Sequence, residues 1–454
     1  MKKISKLEAL MTAVGIMIGV GIYFKADNIL IASENNFLLS LFVWLVICIG
    51  LVISAISVST VCKNVNPNGG MVGFIEEIFG KKLSFLVGWF QTILYVPVMC
   101  AVLSNVIILY LGKIFNLSLT PLEIFILSLV LIFCVWIWNA ISVNLATKIS
   151  VTATYIKVIP LIIICIFALF NGDISNIESL NEPINFDIST LFAFLAPCVS
   201  IAFMFDGWIG VSSLAVDMKD AKKDLPIVIP LSVFLVSIIY ILYYVAVNFL
   251  INSNAIITEG DNYLYLISEM LLGDIGAKII ILIVIISGIG TLNAIFMVGN
   301  RYIEKLANED LIFMSDFFRR RTKNNTLVNA SILTIILSFI FIMILFLQNI
   351  EFKIFNIEIF GDLLLEDAVV SLSTIFTTFV YIICFKLYKE KKCNFFSGII
   401  APIIGIIINL LIFGSFLIST KNIFIAIGSI LIISLIIGFG FYINKKKLFR
   451  RYYE

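Results

Sequence analysis

Twelve apolar runs, each about twenty residues or longer, follow one another along this chain, and no polar stretch between them exceeds about 25 residues. They cover 7–31, 37–61, 84–111, 122–142, 149–170, 189–214, 228–252, 277–300, 326–349, 363–386, 397–418 and 422–443. A run of this length crosses about 30 Å of hydrocarbon as a helix. Lipid tolerates only spanning structures whose backbone groups are satisfied internally. The chain is therefore expected to be an all-α polytopic membrane protein with about 12 transmembrane helices in a single transmembrane domain over 1–454. Composition agrees: 61% of residues are hydrophobic and 13% charged, where an average soluble chain carries about 25% charged residues. The apolar run after the basic opening Met1–Lys6 is too long for a cleavable signal and lacks a small-residue cleavage site, so it is expected to remain as the first span.

The basic residues test this map independently. With the amino terminus inside, the cytoplasmic segments are 1–6, 62–83, 143–148, 215–227, 301–325, 386–396 and 444–454. They carry 25 of the 31 Lys and Arg. The outward loops carry Lys113, Lys278, Lys353 and Lys421, and the spans hold only Lys25 and Lys157. So uneven a split is what the positive-inside rule predicts for a correct topology. Both termini are expected in the cytoplasm, and the protein in the cell (plasma or inner) membrane. Histidine is absent, and the eight cysteines are scattered without a CxxC pair. No disulfide framework, metal site or cofactor is expected. Without a Gly-Lys-Ser/Thr phosphate loop or convergent nucleophile and base, neither ATP-driven transport nor an enzyme fits.

Two spans contain interruptions. Span one carries Gly15-Ile-Met-Ile-Gly19-Val-Gly21-Ile-Tyr23; span six carries Pro197 and then Phe203-Met-Phe205-Asp206-Gly207-Trp208-Ile-Gly210. They lie five helices apart and cross in opposite directions, the pattern of an inverted-repeat transporter site. An unwound segment frees amide N–H groups and a positive half-helix end for a carboxylate. It also frees carbonyls for an ammonium. One small zwitterion satisfies both. The plainer alternative is that these glycines only allow close helix packing.

These residues carry a resemblance. Met17–Lys25, then Asn66-Pro-Asn-Gly-Gly-Met-Val-Gly-Phe-Ile-Glu-Glu-Ile-Phe-Gly80 with Gly88-Trp89, then Phe203–Trp208 with Asp217-Met-Lys-Asp-Ala-Lys-Lys-Asp-Leu-Pro226, resemble in order and spacing the motifs of the amino acid–polyamine–organocation superfamily. Within it, the chain resembles the L-type amino acid transporters and the bacterial serine/threonine exchanger. The match runs through helix eight; the last four helices match only in number and length. The resemblance implies a LeuT-type 5+5 inverted repeat (7–170 and 189–386) plus two additional helices (397–443). It implies that the substrate carboxylate rests on Gly19, Val20 and Gly21, its amino group on carbonyls near Ile16, Met17, Phe203 and Phe205, and that Phe203 closes over it as a gate. Val20 stands where the family usually has Ser or Thr, leaving backbone amides alone for the carboxylate. Met204 and Phe205 replace Ala and Tyr, which makes the pocket greasier.

An ionisable residue inside a span is a functional hypothesis, because it is expensive unless paired. Lys157 lies nine residues beyond Lys148, about 13 Å up the helix. It matches a family lysine whose ammonium replaces a sodium ion between helices one and eight, with Gly15 and Ser287 as its partners here. Two roles fit it: a proton carrier, or a permanently charged pin. Asp206 has three: pairing with Lys157, capping the helix-six break, or meeting a cationic substrate. Lys25 is expected to snorkel outward. Asn293 matches a family asparagine and is expected to line the site. Trp89 and Trp208 suit packing, and Arg319-Arg-Arg321 suits an inside loop or a basic membrane-surface segment.

The expected function is secondary active transport of an amino acid, a neutral L-amino acid above all, by proton symport or exchange. An amine or polyamine carrier of the same fold is the alternative, and a receptor the more distant one. The partners implied are an amino acid substrate and lipid, without nucleic acid. The L-type carriers join a heavy chain through a cysteine in the loop after helix three; loop 112–121 has no cysteine, so no disulfide-linked heavy chain is expected.

Overall fold

The computed structural model describes residues 3–23, 25–115, 117–177, 188–350, 365–419, 434–436, 438–440 and 442, together with the backbone of the two-residue strands β1 (Lys353–Ile354) and β2 (Ile357–Glu358). Apart from that antiparallel pair and one isolated bridge, these residues build a nearly all-helical, multi-pass membrane protein. Ten continuous segments among them are long and apolar enough to cross a membrane. They correspond to expected spans two through eleven. Span one is present as two short helices, α1 (Lys6–Met17) and α2 (Ala26–Ala32). Most of span twelve lies outside the described residues.

The remaining helices, in chain order, are α3 (Phe37–Asn64), α4 (Gly70–Phe79), α5 (Lys81–Phe90), α6 (Val96–Ile114), α7 (Pro121–Ile141), α8 (Val143–Asn171), α9 (Ile188–Leu195), α10 (Cys198–Phe205), α11 (Ala221–Leu250), α12 (Ser253–Glu259), α13 (Tyr263–Asn308), α14 (Ser315–Phe318), α15 (Val328–Asn349), α16 (Leu365–Lys389) and α17 (Ala401–Ser419). A π-helical turn, Gln91–Tyr95, joins α5 to α6. Helix starts follow local chemistry. Ser5 and Glu8 form a reciprocal capping box at α1, as Thr120 and Glu123 do at α7, where Pro121 occupies the first turn.

Peripheral and central helices differ as lipid requires. On α7, Ile124, Ser128, Ile132, Val135 and Asn139 are buried, while Leu122, Ile126, Val130, Phe133, Ile137 and Ile141 are exposed. The period of 3.6 survives, but the outer stripe is as apolar as the inner one because its solvent is hydrocarbon. In the centre, α1 packs against α8, α11 and α13, and α10 against α2, α3, α16 and α17. The two interrupted spans therefore sit in the middle of the bundle.

Two boundaries depart from expectation. The segment 62–83 is not only loop, since it contains α4. Span eight, expected over 277–300, is part of a 46-residue helical segment in which Gly273, at φ 70°, marks a kink. Periodicity could not reveal either extension, because polar residues outside the hydrocarbon continue a helix without an apolar run. Arg321 also belongs to more than a loop: its guanidinium holds Glu304 at 2.7 Å and lies 3.6 Å from Asp217, which Arg301 meets at 2.7 Å. The backbone of Ile4 pairs with Asp217 and Lys219 beside this buried cluster.

Candidate substrate site at two broken helices

Span one is unwound where its glycines suggested. α1 stops at Met17, Ile18 takes a non-helical ψ of 81°, and the Gly19 amide turns back to the Met17 carbonyl at 2.8 Å. Among the described residues, the N–H groups of Val20, Gly21 and Ile22 make no backbone hydrogen bond. Neither does the carbonyl of Ile16. The break therefore presents consecutive donors and a separate acceptor. Their register differs by one residue from expectation. The Gly19 amide is occupied, and Ile22 takes its place.

The break is held from three sides. The Lys157 ammonium from α8 donates to the carbonyls of Gly15 (2.7 Å) and Ile18 (2.6 Å), lies 3.4 Å from the Ser287 carbonyl, and meets the Thr291 hydroxyl at 3.0 Å. The Ser287 hydroxyl donates toward the Gly19 carbonyl at 3.1 Å, and Thr291 to Gly15 at 2.9 Å. Lys157 is completely buried. Its neighbours are carbonyl and hydroxyl oxygens in a ring, the environment of a cation. Gly15 and Ser287 were legible as its partners. Thr291 was not, although it stands four residues after Ser287 on the same helix face. From α11, the Tyr240 hydroxyl donates to the Met17 carbonyl at 2.7 Å and lies 3.1 Å from that of Met204, so one side chain ties the two interrupted spans together. No sequence pattern pointed to Tyr240.

Span six is interrupted twice. Residues 196–197 separate α9 from α10, and α10 ends at Phe205 before an unwound stretch and a 3-10 segment, Gly210–Asp217. Gly207 adopts φ 82°, and a Cβ there would lie 2.3 Å from Ile16 Cγ2 of the other broken span. Only glycine allows both that backbone and that approach. The Phe205 carbonyl, like that of Ile16, accepts no backbone hydrogen bond among the described residues. The Asp206 carboxylate accepts from the Tyr95 hydroxyl. It does not pair with Lys157, whose donors are used by oxygens of α1 and α13. A small cavity of about 50 Å3 opens at this break, lined by Ile16, the 205–210 segment, Gln91 and Tyr95, and the α16 hydroxyls Ser373, Thr374 and Thr377.

A family model described as "Amino acid permease" matches residues 4–442. The chain belongs to the amino acid permease family. The permease is 30% identical over 292 residues to the serine/threonine exchanger SteT of Bacillus subtilis, covering 64% of this chain and 65% of that protein. It is 24% identical over 298 residues to the human cystine/glutamate transporter (64% and 58%) and 28% identical over 285 residues to the human Asc-type amino acid transporter 1 (58% and 52%). The permease thus spans less than two-thirds of the length of each of these relatives. Its fold matches that of MhsT, solved in complex with L-phenylalanine, with a TM-score of 0.63 and 13% identity over 91% of this chain and 98% of that one. The architecture is LeuT-type.

Two expected residues sit elsewhere in the permease. Asn293 is fully buried, but its side chain faces α7 and α8: its oxygen accepts from Trp138 Nε1 (2.8 Å) and Asn139 Nδ2 (2.7 Å), and its nitrogen donates to Ser150 and to the Ala146 carbonyl. All its capacity is spent between helices, away from both breaks. Lys25 does not snorkel. It is 4% exposed, lies 3.4 Å from Asp367 of α16, and stands 4.2 Å over the Phe203 ring. That ring covers Gly21, where a Cβ would lie 3.0 Å away. The Phe203 ring therefore packs against the first break, with a buried ion pair beside it. Removing one member of such a pair strands the other, at a cost of about 3–5 kcal/mol. Lys25→Met and Asp367→Asn are each expected to lower the thermal stability of the detergent-purified permease, with the double substitution costing less than their sum. Strict additivity of the melting shifts would show that the two charges act independently.

Proposed function

We propose that this permease carries a neutral L-amino acid across the cell membrane, by proton symport or by amino acid exchange, through alternating access about the two breaks. The observation that carries this reading is the complementary pair of unused backbone groups: amides at Val20, Gly21 and Ile22 for a carboxylate, and carbonyls at Ile16 and Phe205 for an ammonium. Buried backbone groups are almost always paired, and a zwitterion supplies both partners at once. An amine without a carboxylate would leave the three amides unused. Lys157 fills the cation position behind α1, so no sodium ion is needed there. The activities of its relatives, which include serine/threonine exchange and amino acid transport, support the same reading.

In this scheme residues 7–170 and 189–386 form the two inverted halves and 397–443 the additional helices, with both termini cytoplasmic. The Lys25–Asp367–Phe203 layer closes the outer side, while the Arg301–Asp217–Arg321 cluster closes the inner one. No nucleic acid and no disulfide-linked heavy chain take part, since loop 112–121 offers no cysteine. The test is uptake of a panel of radiolabelled L-amino acids into proteoliposomes, with and without an imposed pH gradient and with and without internal amino acid. Gradient-driven accumulation identifies symport; uptake that requires internal substrate identifies exchange. Failure of every amino acid to enter under all four conditions would overturn the proposal.

A further inference from the structure

The side-chain end of the site contains a group that the backbone cradle does not use. Gln91 opens the π-helical turn between α5 and α6 and is 2% exposed, yet among the described residues its Oε1 has no hydrogen-bond partner. It lines the cavity that starts at Ile16 and Phe205, the two residues with unused carbonyls. A π-turn inserts one extra residue into a helix, shifts the register of the side chains around it, and is frequent at functional sites. A buried amide left without a partner is costly, so the turn delivers Gln91 into the cavity at the expense of stability.

The rest of the lining narrows what Gln91 meets. Among the described lining residues Asp206 is the only one with an ionisable carboxyl or a basic group, and Tyr95 already engages its carboxylate. Thr374 and Thr377 donate their hydroxyl protons to carbonyls within α16 and retain oxygens that can accept. A side chain entering from Ile16 and Phe205 therefore finds hydrogen-bonding groups and no cation to balance an acid.

We propose that Gln91 is the specificity-determining residue and that this cavity selects amino acids with an uncharged polar side chain, a hydroxyl or a carboxamide. The inference rests on the transport reading above and names its substrate class. A carboxamide both donates and accepts, so it pairs with either group. An apolar isostere leaves it stranded, the situation in which a polar site discriminates most sharply.

The test compares isosteric pairs in proteoliposomes: inhibition of L-threonine uptake by unlabelled L-threonine against L-valine, and by L-asparagine against L-leucine, with L-glutamate as the acidic arm. Wild type should favour the polar member of each pair by about tenfold or more, and glutamate should compete poorly. Gln91→Met, similar in length but apolar, should bring both ratios to within about twofold of unity while valine inhibition is retained. Thermal melting of purified Gln91→Met checks that the variant folds; if it does not, Gln91→Glu serves, with the expectation that the polar preference persists and glutamate is rejected further. Equal inhibition by threonine and valine in wild type overturns the specificity inference while leaving amino acid transport standing. So does a Gln91→Met ratio unchanged from wild type. If no amino acid enters wild-type vesicles, the transport reading itself has failed.

Discussion

Lys157→Ala is expected to lower amino acid uptake in proteoliposomes at least about 100-fold while the protein still inserts and purifies as a single species. The ammonium is the common donor for the Gly15 and Ile18 carbonyls, with the Ser287 carbonyl and Thr291 hydroxyl completing the ring. α1 has already given up the helical hydrogen bonds that would satisfy the carbonyls at its end. Each acceptor stranded in a buried site costs about 1–3 kcal/mol, and about 2.7 kcal/mol is a factor of 100. Rewinding or collapse of the break removes the amides of Val20, Gly21 and Ile22 from any carboxylate. Thr291→Val, which deletes one partner and leaves the charge, should cost about tenfold or less by the same arithmetic. Uptake by Lys157→Ala within threefold of wild type would show that the break stands without the cation.

Gly21→Leu is expected to abolish saturable uptake and substrate-induced thermal stabilisation together. A Cβ at Gly21 would sit 3.0 Å from the Phe203 ring and 3.3 Å from Met204 Cγ. The remaining leucine atoms then require Phe203 to move, and they occupy the space in front of the freed amides. Gly21→Ala should fall between the two, because an aromatic edge can shift by a few tenths of an ångström and a packed core resists larger insertions. Combining Gly21→Leu with Phe203→Ala separates crowding from lost backbone freedom. Partial recovery of binding in the double variant identifies the ring as the obstacle. Binding by Gly21→Leu within about twofold of wild type would place the substrate elsewhere.

These expectations draw unequally on sequence and structure. The glycines of span one and the Phe203–Gly210 stretch of span six announced the breaks because lipid leaves few reasons for such clusters at membrane depth. Lys157 was legible for the same reason: a buried charge needs a strong justification. The partner groups were not. Tyr240, Tyr95 and Thr291 are ordinary residues in ordinary apolar spans, and what they bond depends on which helix lies across from them. Lys25 was misjudged on similar grounds. Its distance along the helix matched the outer interface, but Asp367, 342 residues away in the chain, holds it inside. Asn293 was misplaced because the period of a helix tells which residues share a face, not which neighbour that face meets.

By itself the sequence determined the class, spans two through eleven, and the two points where helices must come apart. All of these follow from the transfer of residues between water and lipid and from the hydrogen-bonding needs of the backbone, which act locally along the chain. Only the tertiary structure decided which amides and carbonyls remain unused among the described residues, that Phe203 packs beneath Lys25, and that Gln91 is turned into the cavity. Those depend on contacts between segments far apart in sequence, where a shift of one residue in register exchanges a satisfied amide for a free one.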